Sequence, residues 1–443
     1  MPEDCTTVDT AAELTRALGR GVRTVRIVGT VSGLAGLTLP PGAALTGGVL
    51  EFDSGGITLT RDNELRDITV HAPVADVAIG NDHTVADFGV LVLHNVITRG
   101  QVLLEAADAV RGGHVDIDGL TVAAADTRAR QVLSSGYGVR AQQGAITVWN
   151  RQDDPSIVLT ARLRGLAAGS AAEPVRGSGI MVGALRSDGG GGRMLVSALS
   201  TGEIFSDGGI AVGTPDLISG GVFVLGGAQV GTVVNAGPVI TYGANDMVLD
   251  NWGTVLRWIA QEPVTSFGAS GIGFVNFGDI DDLQVRAPIV THGTGARGFN
   301  LYAGSVGEAR FADITTYGDG AVGFQVTRKM GRLSISGDLR THGGRALSLV
   351  EGAQTELEAV ALSIKPGGGI DAVDIGGELT SEGVGIAAVE IAGALGRLQV
   401  AGGISALGAG ADAVHVLPGE RFDLGDTEVH ARHGKPLSYT AIG

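Results

Sequence analysis

Apolar positions between Val230 and Val350 recur every 25 residues. One column reads Val239, Val264, Ile289, Ile314 and Leu339, and another reads Leu249, Phe274, Phe299, Phe324 and Leu349. Between them lies a corner of three columns. These are Thr241, Ser266, Thr291, Thr316, Thr341; then Tyr242, Phe267, His292, Tyr317, His342; then Gly243, Gly268, Gly293, Gly318, Gly343. A fixed period of this length marks stacked supersecondary units. The apolar runs, such as Gly323-Phe324-Gln325-Val326 and Leu333-Ser334-Ile335, are too short for helices and are bounded by Gly, Asp and Asn. They read as strands and turns. Like residues of successive coils then stack about 4.8 Å apart. The Leu/Phe column becomes an internal ladder. The Gly column becomes a corner that needs a left-handed φ or has no room for a Cβ.

The rest of the chain fits around this core. Residues 7–19 predict a short helix: Thr10 and Glu13 have capping-box spacing, Leu14 and Ala17-Leu18 form an apolar stripe, and Gly19 is the stop. Such a helix covers the edge of the first coil. Strands are expected over Val22–Val28, Leu37–Leu39, Ala44–Phe52 and Ile57–Thr60. Arg61 to Val70 reads as one coil, with Asn63 at a turn where its amide bonds between coils. Residues 105–113 and 124–132 are expected as short helical excursions, and 149–155, 164–178 and 185–193 as loops or insertions. Phe205-Ser206-Asp207-Gly208-Gly209 echoes the corner. After Val350 the period wavers, but Ile391 and Val416 are again one coil apart. The expected organisation is a cap segment over 1–21 and a solenoid over 22–443, with loop insertions around 105–195.

This coil pattern resembles the right-handed parallel β-helix proteins, the pectin-lyase-like superfamily, over most of the chain. The resemblance implies an all-β, single-domain solenoid of about 25-residue coils behind a capping helix. By fold analogy it implies a carbohydrate-active enzyme that cleaves or rearranges glycosidic bonds with carboxylates in a groove or at a subunit interface. A non-catalytic scaffold for binding or assembly is the alternative. Polygalacturonases of that superfamily carry, in order, Asn-Thr-Asp, Asp-Asp, Gly-His-Gly and Arg-x-Lys. Here Asp281-Asp282, Thr291-His292-Gly293 and Arg328-Lys329 follow that order. The first element is absent, Arg and Lys are adjacent, and Asp282 and His292 lie less than half a coil apart.

Composition narrows the partners. The formal charge of −16 disfavours nucleic acid and anionic membranes, and a strongly anionic substrate unless calcium or a local basic cleft intervenes. Aromatic content of 4% is low for a protein that stacks long glycans. Cys5 is the single cysteine, which excludes an intrachain disulfide. The start, Met-Pro-Glu-Asp-Cys, leads into no apolar stretch, and no run of 18 apolar residues occurs. The expectation is a cytoplasmic chain, with a removed leader left open.

Candidate chemistry comes from columns that leave the apolar pattern. Side chains alternate across a strand, so neighbours of the Leu/Phe ladder should face outward. Val248, Gly273, Gly298, Gly323, Ser348 and Asp246, Gly271, Ala296, Ala321, Ala346 would pave a flat face, suited to a symmetry mate in a homotrimer. Asp250, Val275, Asn300, Gln325 and Val350 form the next outward column. The polar break Asn245-Asp246-Met247-Val248-Leu249-Asp250-Asn251-Trp252 interrupts that face. Asp246 and Asp250 would lie roughly 13 Å apart by strand rise, too far to act as an acid/base pair by themselves. Asp207, Asp246 and Asp250 are therefore the candidate catalytic residues, with partners from other coils or subunits. Trp149, Arg151, Asn251, Trp252, Asn300, Gln325, Arg328 and Lys329 are the candidate carbohydrate contacts. Asp279, Asp281 and Asp282 could ligate calcium, or join Arg257 and Arg332 in an ion-pair ladder. His83, Asp87 and His94 match no metal-site spacing.

Overall fold

The computed structural model describes residues 5–184, 190–418, 420 and 422–440. Residues 185–189 of the expected insertion, and the acidic residues before Cys5, lie outside them. The chain divides into two compact units. The first comprises the residues up to Gly136, Ala141–Asp207 and Phe223–Gly231; the second comprises Tyr137–Arg140, Gly208–Val222 and the chain from Thr232. Each is a parallel β-helix.

The first unit holds the only helix among the described residues, Ala11–Gly19, directly after strand Cys5–Val8. Thr10 caps it, its hydroxyl accepting the Glu13 N–H at 3.3 Å, while Glu13 reaches back to the Asp9 N–H. Leu14, Ala17 and Leu18 are buried, as the stripe requires. Parallel strands then stack in register: Cys5–Val8, Thr24–Ile27, Ala44–Thr46, Glu64–His71, Asp87–Arg99, Gly112–Ala124, Val158–Ala168 and Arg193–Asp207. Coil length varies here, from 20 residues between Ala43 and Asn63 to 46 between Asp116 and Arg162. Asn63 does what its position suggests. Its amide donates to the Pro40 and Ala43 carbonyls of the preceding coil, and its Oδ1 accepts the Thr60 N–H. The helical excursions expected over 105–113 and 124–132 are absent. Strand Gln101–Ala106 runs into a turn and then strand Gly112–Ala124, because both segments pair with neighbouring coils.

The second unit is the regular one. Each coil contributes strands to three stacks. One stack carries Val239, Val264, Ile289, Ile314, Leu339, Leu379, Ile404 and Val429 in register. A second carries Leu249, Phe274, Phe299, Phe324, Leu362, Val389, Val414 and Leu437. The third contains Thr254–Ala260, Asp279–Val285, Ser305–Phe311, Lys329–Ile335, Gly369–Ile375 and Ala394–Val400. Phe274, Phe299 and Phe324 stack inside at 5.9 and 4.4 Å between ring centres, and Trp258 meets Phe274 edge-on. Tyr242, Phe267, His292, Tyr317 and His342 stack outside with nearly parallel rings, 4.7–5.5 Å apart. The corner glycines follow from close approach. A Cβ on Gly268, Gly293, Gly318 or Gly343 would run into the carbonyl oxygen of the corner glycine one coil earlier.

One expectation is corrected. Leu349 is not the next rung after Phe324; Leu362 is. The coil between Asp338 and Glu378 is 40 residues long, and its excess forms an antiparallel hairpin, Arg345–Val350 with Ala353–Glu358.

Candidate functional site

The hairpin explains an unusual feature of the second stack. In strands Asp246–Asn251, Ile272–Asn276, Arg297–Leu301 and Val322–Val326 every residue is buried. One side faces the Phe ladder and the other is roofed by chain.

The glycine column sets up this face. A Cβ on Gly273, Gly298 or Gly323 would strike Ile289, Ile314 or Leu339, so these positions point inward beside the phenylalanines. The ladder correspondingly skips from the Ile272–Arg297 pair to the Phe274–Phe299 pair. Two consecutive inward positions leave Arg297 and Asn300 both outward. The glycines are thus an inward bulge rather than the flat outer surface expected, and Ala296 and Ala321 are fully buried as well.

Two elements form the roof. The hairpin is tied down by Leu349, whose N–H donates to Ser270 Oγ at 3.1 Å and whose carbonyl accepts Arg297 Nη2 at 3.0 Å. Ser348 Oγ adds a bond to the Gly295 carbonyl at 2.6 Å. The second element is the turn at Tyr137-Gly138. The Tyr137 ring stacks on Phe277 at 4.3 Å and meets Trp252 edge-on at 5.5 Å, and Phe277 stacks on Tyr302 at 5.1 Å. Both turn tips, Tyr137-Gly138 and Glu351-Gly352, are in left-handed backbone conformations.

Beneath this roof lies a column of polar side chains in register: Asp250, Asn300 and Gln325, with Val275 between the first two. Asp250 and Asn300 are fully buried and Gln325 is 5% exposed. Asn300 Nδ2 and Oδ1, Gln325 Oε1, Tyr302 Oη, and Arg297 Nε and Nη1 meet no hydrogen-bond partner among the described residues. The Asp250 carboxyl has the Trp252 indole N–H as its one hydrogen-bonding neighbour among the described residues. Burial pushes the Asp250 carboxyl well above its ordinary 3.8, with the Trp252 indole pulling weakly the other way. Burial also raises the Tyr302 phenol, Arg297 opposing and Glu351 reinforcing the shift. The Tyr137 phenol is raised by burial, with Asp250 and Asp279 adding to it. A buried carboxyl with a raised pKa, two amides, a guanidinium and a phenol therefore share one enclosed face. That set can hydrogen-bond a hydroxylated or charged ligand and can supply a proton.

Asp250, Trp252, Asn300 and Gln325 come together there. Other candidates do not join them. Asp246 caps a turn, accepting the Gly243 N–H at 2.8 Å and the Gly208 N–H at 3.3 Å. Asn251 belongs to an amide ladder, donating to Asn276 Oδ1 at 2.8 Å and accepting the Gly253 N–H. Arg328 and Lys329 are exposed, and Arg328 bonds only locally, to the Thr327 carbonyl. Asp282 holds Arg257 at 3.1 Å and Arg310 at 2.8 Å, whereas Arg332, expected in the same ladder, lies 3.9 Å from Asp374 instead; Asp279 accepts from Ser305 Oγ. Among the described residues, no group of three or more His, Cys, Asp or Glu side chains is placed to hold a metal ion. His292 is a rung of the outer stack, away from any carboxylate pairing with Asp282.

Asp207, Trp149 and Arg151 belong to the first unit. Asp207 pairs with Arg176. Trp149 and Arg151 converge on Glu105, which sequence reasoning missed: Trp149 Nε1 donates to it at 2.5 Å and Arg151 Nη1 lies 3.1 Å away. His83 bridges Glu105 and Asp108 at 3.2 and 3.3 Å. A cavity of about 460 Å³ adjoins this group, lined by Asp76, Asn81, His83, Glu105 and Arg130 among others. Glu105 is fully engaged by these partners, which marks it as a structural hub. Arg297 and Tyr302 were missed as well, although one signal was available. Arg297 is the charged member of an otherwise apolar column, Met247, Ile272 and Val322.

Compared with family models, curated proteins and solved structures, the chain matches none. Among the described residues, no helix is long and apolar enough to cross a membrane.

Proposed function

We propose that the chain is a carbohydrate-active enzyme that works on a glycosidic bond at the roofed face of the second unit, with Asp250 as general acid. The observation that carries this reading is the column of buried polar groups with unmet hydrogen-bonding capacity, Asp250, Asn300 and Gln325. Buried polar groups ordinarily find partners, and a clustered exception calls for a ligand or bound solvent. Amides repeating at the coil spacing suit the hydroxyls of a sugar. Trp252, Phe277, Tyr302 and Tyr137 give an aromatic wall at one side. Burial raises the Asp250 carboxyl, the direction that proton donation to a leaving oxygen requires. The carboxylate available as the second of the mechanism is Glu351, exposed at the hairpin tip and within electrostatic reach of Tyr302.

The test is product chromatography of wild-type protein, Asp250→Asn and Glu351→Gln on a panel of poly- and oligosaccharides. Wild type should release products and Asp250→Asn should lose at least two orders of magnitude in rate. Saturable oligosaccharide binding without products from any substrate would favour a non-catalytic binding module instead, because the face that closes under two turns would then serve retention alone.

A further inference from the structure

Arg297 is among the largest fully buried side chains of the molecule. Its guanidinium offers five N–H donors and cannot discharge itself by losing a proton. Only Nη2 is used, on the Leu349 carbonyl, while Nε and Nη1 meet no acceptor among the described residues. A buried cation without a counter-ion is strongly unfavourable. Among the described residues no carboxylate forms an ion pair with Arg297. The Tyr302 hydroxyl, also buried and unpartnered, stands within electrostatic reach of the guanidinium.

We infer that the ligand of this face carries an oxyanion, held by the Nε and Nη1 donors of Arg297 with the Tyr302 hydroxyl as a further donor. A planar pair of N–H groups matches the two oxygens of a carboxylate, sulfate or phosphate group. The inference rests on the roofed face being the ligand site, but not on the ligand being a sugar. It also reconciles the acidic chain with an anionic ligand. The net charge of −16 repels polyanions from the surface at large, whereas this face holds the Arg297 guanidinium with two N–H-bearing nitrogens that meet no acceptor among the described residues.

The experiment is thermal unfolding of the full chain, at constant ionic strength, with glucose 6-phosphate, glucose 6-sulfate, glucuronate and uncharged glucose. Wild type should show a saturable rise in midpoint of about 2 °C with at least one of the three anions and none with glucose. The anion that gives the largest rise identifies the group. Arg297→Met should abolish the rise while being no less stable than wild type in anion-free buffer, because it removes an unpaired buried charge. Asp250→Asn should keep the anion response even where it loses turnover, which separates this inference from the glycosidic one. No rise in wild type, or an equal rise in Arg297→Met, overturns the proposal. Should Arg297→Met fail to fold, Arg297→Lys carries the test, since it keeps the charge and loses the planar pair. A response equal to wild type would then overturn it.

Discussion

Gly138 and Gly352 meet backbone to backbone. A Cβ on Gly138 would lie 2.8 Å from the Glu351 carbonyl oxygen, and one on Gly352 would lie 2.8 Å from the Gly138 carbonyl oxygen. Both glycines are left-handed, at φ of 81° and 82°. The roof is closed at this point by two turn tips, and any side chain there is both strained and obstructed. Gly138→Ala should therefore loosen the roof at a cost of about 1–2 kcal/mol. Amide exchange should quicken across Arg345–Glu358 while strand Arg297–Leu301 keeps its protection. Uniform quickening in both segments would contradict a local closure.

The raised pKa of Asp250 makes a pH prediction with a definite sign. Its folded-state value lies above the ordinary 3.8. Its contribution to stability is fully present below the unfolded value and is lost as pH rises through the folded one. Asp250→Asn removes that loss. The variant should equal or exceed wild type in unfolding midpoint at neutral pH, and the two should converge as pH approaches 4. An Asn variant that is less stable at neutral pH would mean that the ionised carboxylate is the form the fold prefers.

The inner and outer aromatic columns should differ sharply in energetic weight. Phe299 is fully buried between Phe274 and Phe324, whereas Tyr317 is 49% exposed between His292 and His342. Phe299→Ala opens a cavity as well as losing burial, and should cost about 3–5 kcal/mol. Tyr317→Ala loses two ring contacts at a half-exposed corner, for about 1 kcal/mol. Denaturant midpoints of the two variants give the comparison. Similar costs would mean that the outer stack, and not the core, holds the coils in register.

The sequence showed the coils because a solenoid repeats its physics. The same corner, with backbone stacked on backbone, must exclude Cβ each time, so Gly243, Gly268, Gly293, Gly318 and Gly343 are visible without a structure. The polar column was legible for the same reason: Asp250, Asn300 and Gln325 keep the phase of the ladder. The hairpin was hidden by a coincidence of phase. Leu349 falls one period after Phe324, yet the chain spends those residues on an excursion and resumes the ladder at Leu362. Strict alternation also misled at the glycines, since a bulge turns Gly298 and Phe299 inward together. Tyr137 was invisible for another reason. It reaches Phe277 and Trp252 from a distant part of the chain, and no periodic signal encodes such a contact.

Excising the hairpin tests whether it is a roof or part of the framework. The geometry permits a clean cut. The Ala359 N–H donates to the Gly344 carbonyl at 3.0 Å, so the ends of the segment 345–358 are already adjacent. Joining Gly344 to Ala359 brings this coil back to within one residue of the 25-residue repeat. The ladder pairs on either side, Phe324 with Leu362 and Leu339 with Leu379, lie outside the deleted segment. The shortened chain should fold with its β signature intact. Arg297, Asn300, Tyr302 and Gln325 should become solvated, removing the cost of burying unpartnered groups, while the apolar contacts under Leu349 and Leu357 are lost. These effects oppose each other, so the net change in stability should be small, within about 2 kcal/mol. Trp252 should then be reached by an aqueous fluorescence quencher that Trp258, buried in the core, continues to escape. Failure to fold would make the hairpin a part of the framework. A folded chain with Trp252 still shielded would place the closure in the Tyr137 turn alone.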